Sequence, residues 1–398
     1  MKKVSVNRLF IMIVLYSLVA NFAHPITPTF IQNLHLHNYM FGVAFACMAT
    51  TNFLFSPFWG KVSKSIGSAK VVGICFFGYA FAQFLFGTST TELNIIVARL
   101  VGGFFISGIT VCNILYVMDN SAEDKKGENL ATSVTLSAIF SAFGYMIGGF
   151  LGDRSISLTF TCQVIGLAFI GMLYLLTLAD GNISESFDAK ELIKNSNPFK
   201  AIIDSRQILS AMVVCFLVMC VCTSFASTCY EQCFNYFIKD QFGFPPSYNG
   251  LLKAAVGIIT MIANATICVA LMKKTNIVKS IIPVLLICFM MMISIIILDS
   301  VIPFIIMNVI FFGFNAVYQP LQQAMINIFT KGKDNGLMVG AYNSMKSLGM
   351  VMGSLFAGFI YEVGPKLSFV SSAIAFLLAV IFAYLTYRNS KGELQNGD

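Results

Sequence analysis

Runs of mostly apolar residues, each about twenty long, recur along the whole chain, and short polar breaks separate them. A helix that crosses a bilayer needs about 20 such residues. Twelve runs qualify: 9–30, 39–60, 71–89, 93–118, 131–152, 157–179, 207–238, 248–272, 280–298, 301–329, 336–362 and 367–387. One break is long. Residues 180–206 carry Asp180, Glu185, Asp188, Lys190, Glu191, Lys194, Lys200, Asp204 and Arg206, and they split the runs six and six. The pattern predicts an all-α membrane protein of twelve transmembrane helices. An N-terminal six-helix bundle (1–179) and a C-terminal one (207–398) flank a cytoplasmic central loop (180–206). Met1-Lys2-Lys3 before an apolar run has the look of a signal peptide, but the run continues past Ala23 into a Pro-containing stretch without a small-residue cleavage site. The first span is therefore expected to stay.

The halves read as copies. Gly144-x-x-x-Gly148 in the fifth run matches Gly349-x-x-x-Gly353 in the eleventh, an offset of 205. Phe30-Ile31 matches Phe237-Ile238, an offset of 207. Parallel six-helix repeats around a cavity are a transporter architecture. A receptor or a membrane enzyme needs no second copy.

Composition narrows the class. Of 398 residues, 57% are hydrophobic and 11% charged, against about 25% charged in soluble domains. That excludes a soluble domain, a disordered chain and a nucleic-acid-binding module. The net charge of +7 is explained by orientation. With both termini inside, 19 of the 25 Lys and Arg fall in cytoplasmic segments and 3 in outer loops, as the positive-inside rule requires. No acidic partner is needed. All eleven cysteines lie in apolar stretches, which is not a disulfide framework. Cys229 and Cys233 share a helix face, but no His lies near them, so packed thiols are expected and no metal.

Four stretches carry a family resemblance. Gly60-Lys61-Val62-Ser63-Lys64-Ser65-Ile66-Gly67-Ser68-Ala69-Lys70 follows the second run, Arg99-Leu100-Val101-Gly102-Gly103 lies in the fourth, and Phe140-x-x-x-Gly144-Tyr145-Met146-Ile147-Gly148-Gly149 in the fifth. Tyr230-Glu231 lies in the seventh. With these the chain resembles the major facilitator superfamily, and within it the twelve-span drug:proton antiporters. Gly60, Gly67, Lys70, Arg99, Gly144, Gly148 and Gly149 stand where the family patterns have the same residues. Lys64 and Ser65 replace an Asp and an Arg, Gly102 a Gln, Phe140 a Gly and Tyr145 a Pro. Asn315 stands where several exporters have a second intramembrane Asp. The resemblance implies a coupling Arg at Arg99, a proton-site Glu at Glu231 and a cytoplasmic charge network in which Lys61 and Lys64 face Asp119, Glu123 or Asp124. Multidrug efflux by an antiporter, no cofactor and a monomer are also implied.

Residue chemistry supplies the remaining candidates. Intramembrane ionisable groups are costly and mark function. Glu231 is the one acid well inside a run, and it is expected to pass the coupling proton. His24 precedes Pro25 and lies near Pro28. Those prolines break the helix ladder and free carbonyls to line a cavity. The 207 offset sets His24 against Glu231. Lys253 and Lys346 with Arg99 make a cationic cavity, suited to anionic or zwitterionic amphiphiles. Alternatively, Lys346 pairs with Glu231. Tyr145, Asn113, Asn315, Tyr318, Gln319 and Asn343 are polar wall candidates, because polar atoms avoid lipid. Phe140, Tyr230 and Phe234 are apolar ones. Gly349 and Gly353 serve close packing. No Ser-His-Asp grouping, paired carboxylates or phosphate-cradling loop points to an enzyme. The reading is proton-coupled export of amphipathic small molecules across a bacterial plasma membrane. The alternative is a narrow transporter of one anionic or zwitterionic metabolite or lipid-linked anion.

Overall fold

The computed structural model describes residues 6–122, 125–180, 197, 209–298, 300–330 and 335–395. Thirteen helices account for nearly all of them: α1 (Val6–Ala20), α2 (Thr27–Asn33), α3 (Met40–Ile66), α4 (Ser68–Gly87), α5 (Glu92–Asn120), α6 (Lys126–Arg154), α7 (Ile156–Thr177), α8 (Ala211–Asp240), α9 (Pro246–Lys274, with a π turn at Asn264–Cys268), α10 (Ile277–Ile297), α11 (Val301–Thr330), α12 (Asn335–Val363) and α13 (Leu367–Gln395). Ten of them are long and apolar enough to cross a membrane. The other two crossings are α1 with α2, and α12. With 29 residues, α12 is about 44 Å long. It is less apolar because it carries Asn343, Ser344, Lys346, Ser347 and Glu362. Most of the expected central loop, and Glu123 and Asp124, lie outside the described residues.

The first crossing is not one helix. Backbone turns occupy residues 21–26 between α1 and α2. Pro25 disfavours a helical His24, and neither Pro25 nor Pro28 donates a backbone hydrogen bond. Side chains donate to backbone carbonyls on either side of the break. Gln163 Nε2 donates to Ala20 O (2.8 Å), Thr27 Oγ1 to Ala23 O (2.8 Å) and Asn21 Nδ2 to Ser17 O (2.6 Å). In a bilayer an unsatisfied carbonyl has no water to turn to.

The chain forms two compact units, Met1–Pro198 with Ile238–Ala254, and Phe199–Phe237 with Ala255–Asp398. The sequence divides at the central loop, whereas contacts place 238–254 with the first unit. The reason is small residues. A side chain at Gly149 would meet the Pro246 carbonyl and Ser247, one at Gly152 would meet Ile26 and Pro246, and one at Gly250 the Tyr145 carbonyl. The Asp153 carboxylate also accepts from Ser247 N (3.0 Å), and Gln32 Nε2 donates to Asp240 (3.0 Å).

Glycine pairs repeat the same packing in each unit. Gly144 and Gly148 of α6 abut the carbonyls of Leu18 and Phe22. Gly349 and Gly353 of α12 abut those of Val221 and Phe225. The internal repeat is thus built from matching contacts: α6 lies on α1 as α12 lies on α8. Gly60 differs, since a side chain there would only touch Val111 at an ordinary 3.5 Å.

The turn between α3 and α4 is held by an acid from elsewhere. Gly67 has φ of +98°, a region that favours glycine. The Asp180 carboxylate, just beyond α7, accepts from Ala69 N (2.6 Å) and Lys70 N (3.2 Å). It caps the first turn of α4, where a negative charge meets the helix dipole. Asp119 makes no hydrogen bond or ion pair among the described residues, so the expected pairing of Lys64 with Asp119 does not form. Asp180→Ala is expected to cost about 1 kcal/mol, as loss of an N-cap does. Gly67→Ala should cost at least as much, because its Cβ falls on the Asp180 carboxylate. Thermal unfolding of both variants in detergent checks this.

Candidate transport site

In the second unit a polar stripe runs along α8. Cys220, Thr223, Ser227 and Glu231 follow a spacing of three, four and four, which keeps them on one face. α11 answers with Asn315, Tyr318 and Gln322 at helical spacing. Ser227 Oγ donates to Asn315 Oδ1 (2.8 Å) and shares a hydrogen bond with the Tyr318 hydroxyl (2.9 Å). Gln322 Nε2 donates to Thr223 Oγ1 (2.9 Å). Tyr318 lies within electrostatic reach of Glu231 and of Cys220. Glu231, half-buried, stands at one end of the stripe.

Lys346 stands at the other end. Its ammonium is within electrostatic reach of the Cys220 thiol, Gly349 three residues on abuts the Val221 carbonyl, and among the described residues Lys346 forms no ion pair. Cys220 and Glu231 are eleven residues apart, about 16 Å along the helix. The alternative Glu231–Lys346 pair therefore does not form. Gln319 is half-buried and Asn343 exposed, and neither makes a hydrogen bond among the described residues.

Two expected wall residues sit elsewhere. Tyr230 and Phe234 are 0% and 2% exposed, so neither faces an open space. They belong to an aromatic core with Phe304, Phe311, Phe312 and Phe369. The Tyr230 hydroxyl is tied to Asn308 Oδ1. Cys229 and Cys233 direct their thiols at the carbonyls of Ser368 (3.5 Å) and Pro365 (3.6 Å). They pack the start of α13.

The first unit holds two further groups. The Tyr145 ring lies 5.3 Å from His24 and 5.9 Å from the Lys253 ammonium. His24 is exposed and Lys253 buried. The α6–α9 contact at Gly250 brings this cluster together. Arg99 on α5 is 8% exposed. It is buried within the helix bundle. Its guanidinium lies 3.7 Å from the Phe86 ring centre, a cation–π contact, and 3.7 Å from Met48 Sδ. Its Nε has no partner, and no carboxylate meets it among the described residues. Phe140 packs against Phe143 (6.0 Å). Asn113 accepts from the Tyr174 hydroxyl (2.7 Å).

The glycine contacts also revise the register between halves. Leu18 and Phe22 correspond to Val221 and Phe225, an offset of 203, not 207. On that register Ser227, not Glu231, is the counterpart of His24. The four-residue difference arises between Phe22 and Phe30, where the turns at 21–26 replace regular helix. Ser227 was not singled out from the sequence. Its signal was there: a hydroxyl one helical turn before the only acid well inside a run.

A sequence profile of the Major Facilitator Superfamily matches residues 9–317 and 300–397. Multidrug resistance protein 1 of Bacillus subtilis is 21% identical over 362 residues, covering 89% of each chain. Quinolone resistance protein NorA of Staphylococcus aureus is 21% identical over 379 residues, covering 93% of each. Among solved structures, an inward-facing bacterial homolog of the human lysosomal transporter Spinster superposes with a TM-score of 0.78 at 12% identity, covering 96% of each chain. Twelve crossings, an internal repeat built on matched glycine contacts and a profile match from end to end agree: the chain belongs to the Major Facilitator Superfamily of membrane transporters.

Proposed function

We propose that this transporter exports amphipathic small molecules by alternating access, in exchange for protons. One observation carries the reading: the polar stripe on α8 ends in Glu231, a half-buried carboxyl among hydroxyl and amide groups. A carboxyl there can be protonated on one side of the membrane and deprotonated on the other, and the Tyr318 hydroxyl lies within its electrostatic reach. Arg99 and His24 are assigned supporting roles in coupling. The names of the relatives, multidrug and quinolone resistance proteins, support efflux of foreign amphiphiles. The Lys and Arg distribution supports cytoplasmic termini, and the bacterial relatives support a plasma-membrane location.

Everted membrane vesicles energised by respiration test the direction and the energy source. Uptake of a fluorescent amphipathic dye should rise on energisation and collapse when an uncoupler dissipates the pH gradient. Uptake unaffected by the uncoupler would contradict proton exchange.

A second reading has its own observation. Arg99 and Lys346 meet no carboxylate among the described residues, so each can take an anionic group of a substrate. On this reading the substrate is one anionic or zwitterionic metabolite or lipid-linked anion. Lys346→Met is then expected to slow transport of anionic amphiphiles about tenfold, the effect of losing roughly 1.4 kcal/mol of charge-assisted binding, and to leave cationic ones unchanged. A panel of matched anionic, zwitterionic and cationic probes reads this directly. Equal transport of every class by the variant would remove Lys346 from the site.

A further inference from the structure

A cavity of about 230 Å³ opens in the first unit between α1, α5 and α6. Ile13, Ile114, Val117, Leu130 and Val134 give it apolar walls, and no charged residue lines it. Its polar groups are few and specific. Asn113 is 9% exposed. Its Oδ1 is taken by the Tyr174 hydroxyl, while its amide nitrogen has no hydrogen-bond partner among the described residues. The hydroxyl of Tyr16, another lining residue, also makes no hydrogen bond among the described residues. On the other side, Thr110 and Ser133 have spent their protons on the carbonyls of Ile106 and Asn129, so their oxygens remain as acceptors only.

We infer that this cavity binds the uncharged end of an amphipathic ligand, an apolar group bearing a carbonyl or similar acceptor that meets the Asn113 amide and the Tyr16 hydroxyl. Three features select that chemistry. The Asn113 amide, on a residue nine-tenths buried, and the hydroxyl of half-buried Tyr16 are donors open to the cavity, and an acceptor is the group that completes their hydrogen bonding. An ionised group entering here would lose its hydration with no counter-ion to replace it. The volume is below the roughly 300–1,000 Å³ of pockets that enclose a drug-sized molecule, so the cavity takes one end of a ligand and the rest extends past Val134, which stands 64% exposed. The lining residues Asn113 and Ser133 belong to the first unit, and the stripe that ends in Glu231 belongs to the second. The inference rests on the reading of the protein as a carrier of amphiphiles for its use, and it is tested by binding alone.

The test uses the full-length protein in lipid nanodiscs and three probes of one shape: 4′-butylacetophenone, 4-butylbenzoate and 4-butylbenzylammonium. Calorimetric titration of wild type should show the ketone binding at least tenfold tighter than either ion. Asn113→Leu should weaken the ketone about tenfold. Val134→Trp, at an exposed position that does not disturb Asn113, should block the mouth and abolish ketone binding. Ions binding as well as the ketone, or ketone binding that survives Val134→Trp, would overturn the assignment. If the ketone binds as expected while transport proves independent of protons, the coupling proposal fails and this site stands. If proton-driven transport holds while ketone binding ignores the cavity substitutions, only this inference fails.

Discussion

Glu231→Gln is expected to reduce substrate-driven proton movement to background, a loss of at least a factor of about 100, the low end of what a positioned acid–base group contributes. Gln has nearly the volume of Glu and remains a hydrogen-bonding group, so the fold should survive. What it cannot do is gain and lose a proton. Substrate should still bind the variant, and exchange of labelled substrate for unlabelled substrate should persist, because neither needs net proton transfer. Glu362→Gln, near the end of α12, is the matched control and should retain proton flux. Ser227→Ala should lie between them. It leaves the carboxyl in place but removes the hydroxyl that holds Asn315 and Tyr318 on the same stripe.

The second large effect is on assembly. Gly148→Val and Gly353→Val should each destabilise the protein by about 3 kcal/mol or more, beyond ordinary overpacking of a core, which costs about 1–3 kcal/mol. The obstacle in each case is a backbone carbonyl, that of Phe22 or of Phe225. A side chain can rotate away from a new methyl group, but a carbonyl moves only if the helix moves. Both variants should be recovered in low yield or melt well below wild type. Gly127→Val offers the contrast, since nothing lies within 4 Å of a side chain there. The matched pair also tests the repeat, because α6 on α1 and α12 on α8 should respond alike.

Much of this architecture was legible because a membrane span announces itself by length and apolarity. The glycine pairs were legible too, since Gly at a spacing of four on an apolar helix has one common use, close helix approach. Other features depended on tertiary partners. Asp180 sits in a polar stretch like its neighbours, and nothing local marks it as the cap of a helix more than a hundred residues earlier. The burial of Tyr230 and Phe234 was equally hidden, because 39 Phe residues serve core, lipid face and cavity alike, and composition does not separate these roles. Lys346 and Glu231 looked like natural partners as opposite charges in apolar runs. Helix rise decides against it, for α12 meets α8 near Lys346 at Val221, ten residues from Glu231. The His24–Glu231 match failed because an offset measured beyond the proline break was applied across it.

Proton movement by the wild-type protein tests the central claim most directly. Purified protein in sealed liposomes with an internal pH dye, under an imposed pH gradient, should move protons only when an amphipathic substrate is added, in proportion to substrate transported and in the opposite direction. Substrate crossing at full rate with no change in internal pH would contradict the account. The polar stripe ending in Glu231 would then be structural, and the transporter would run without proton exchange.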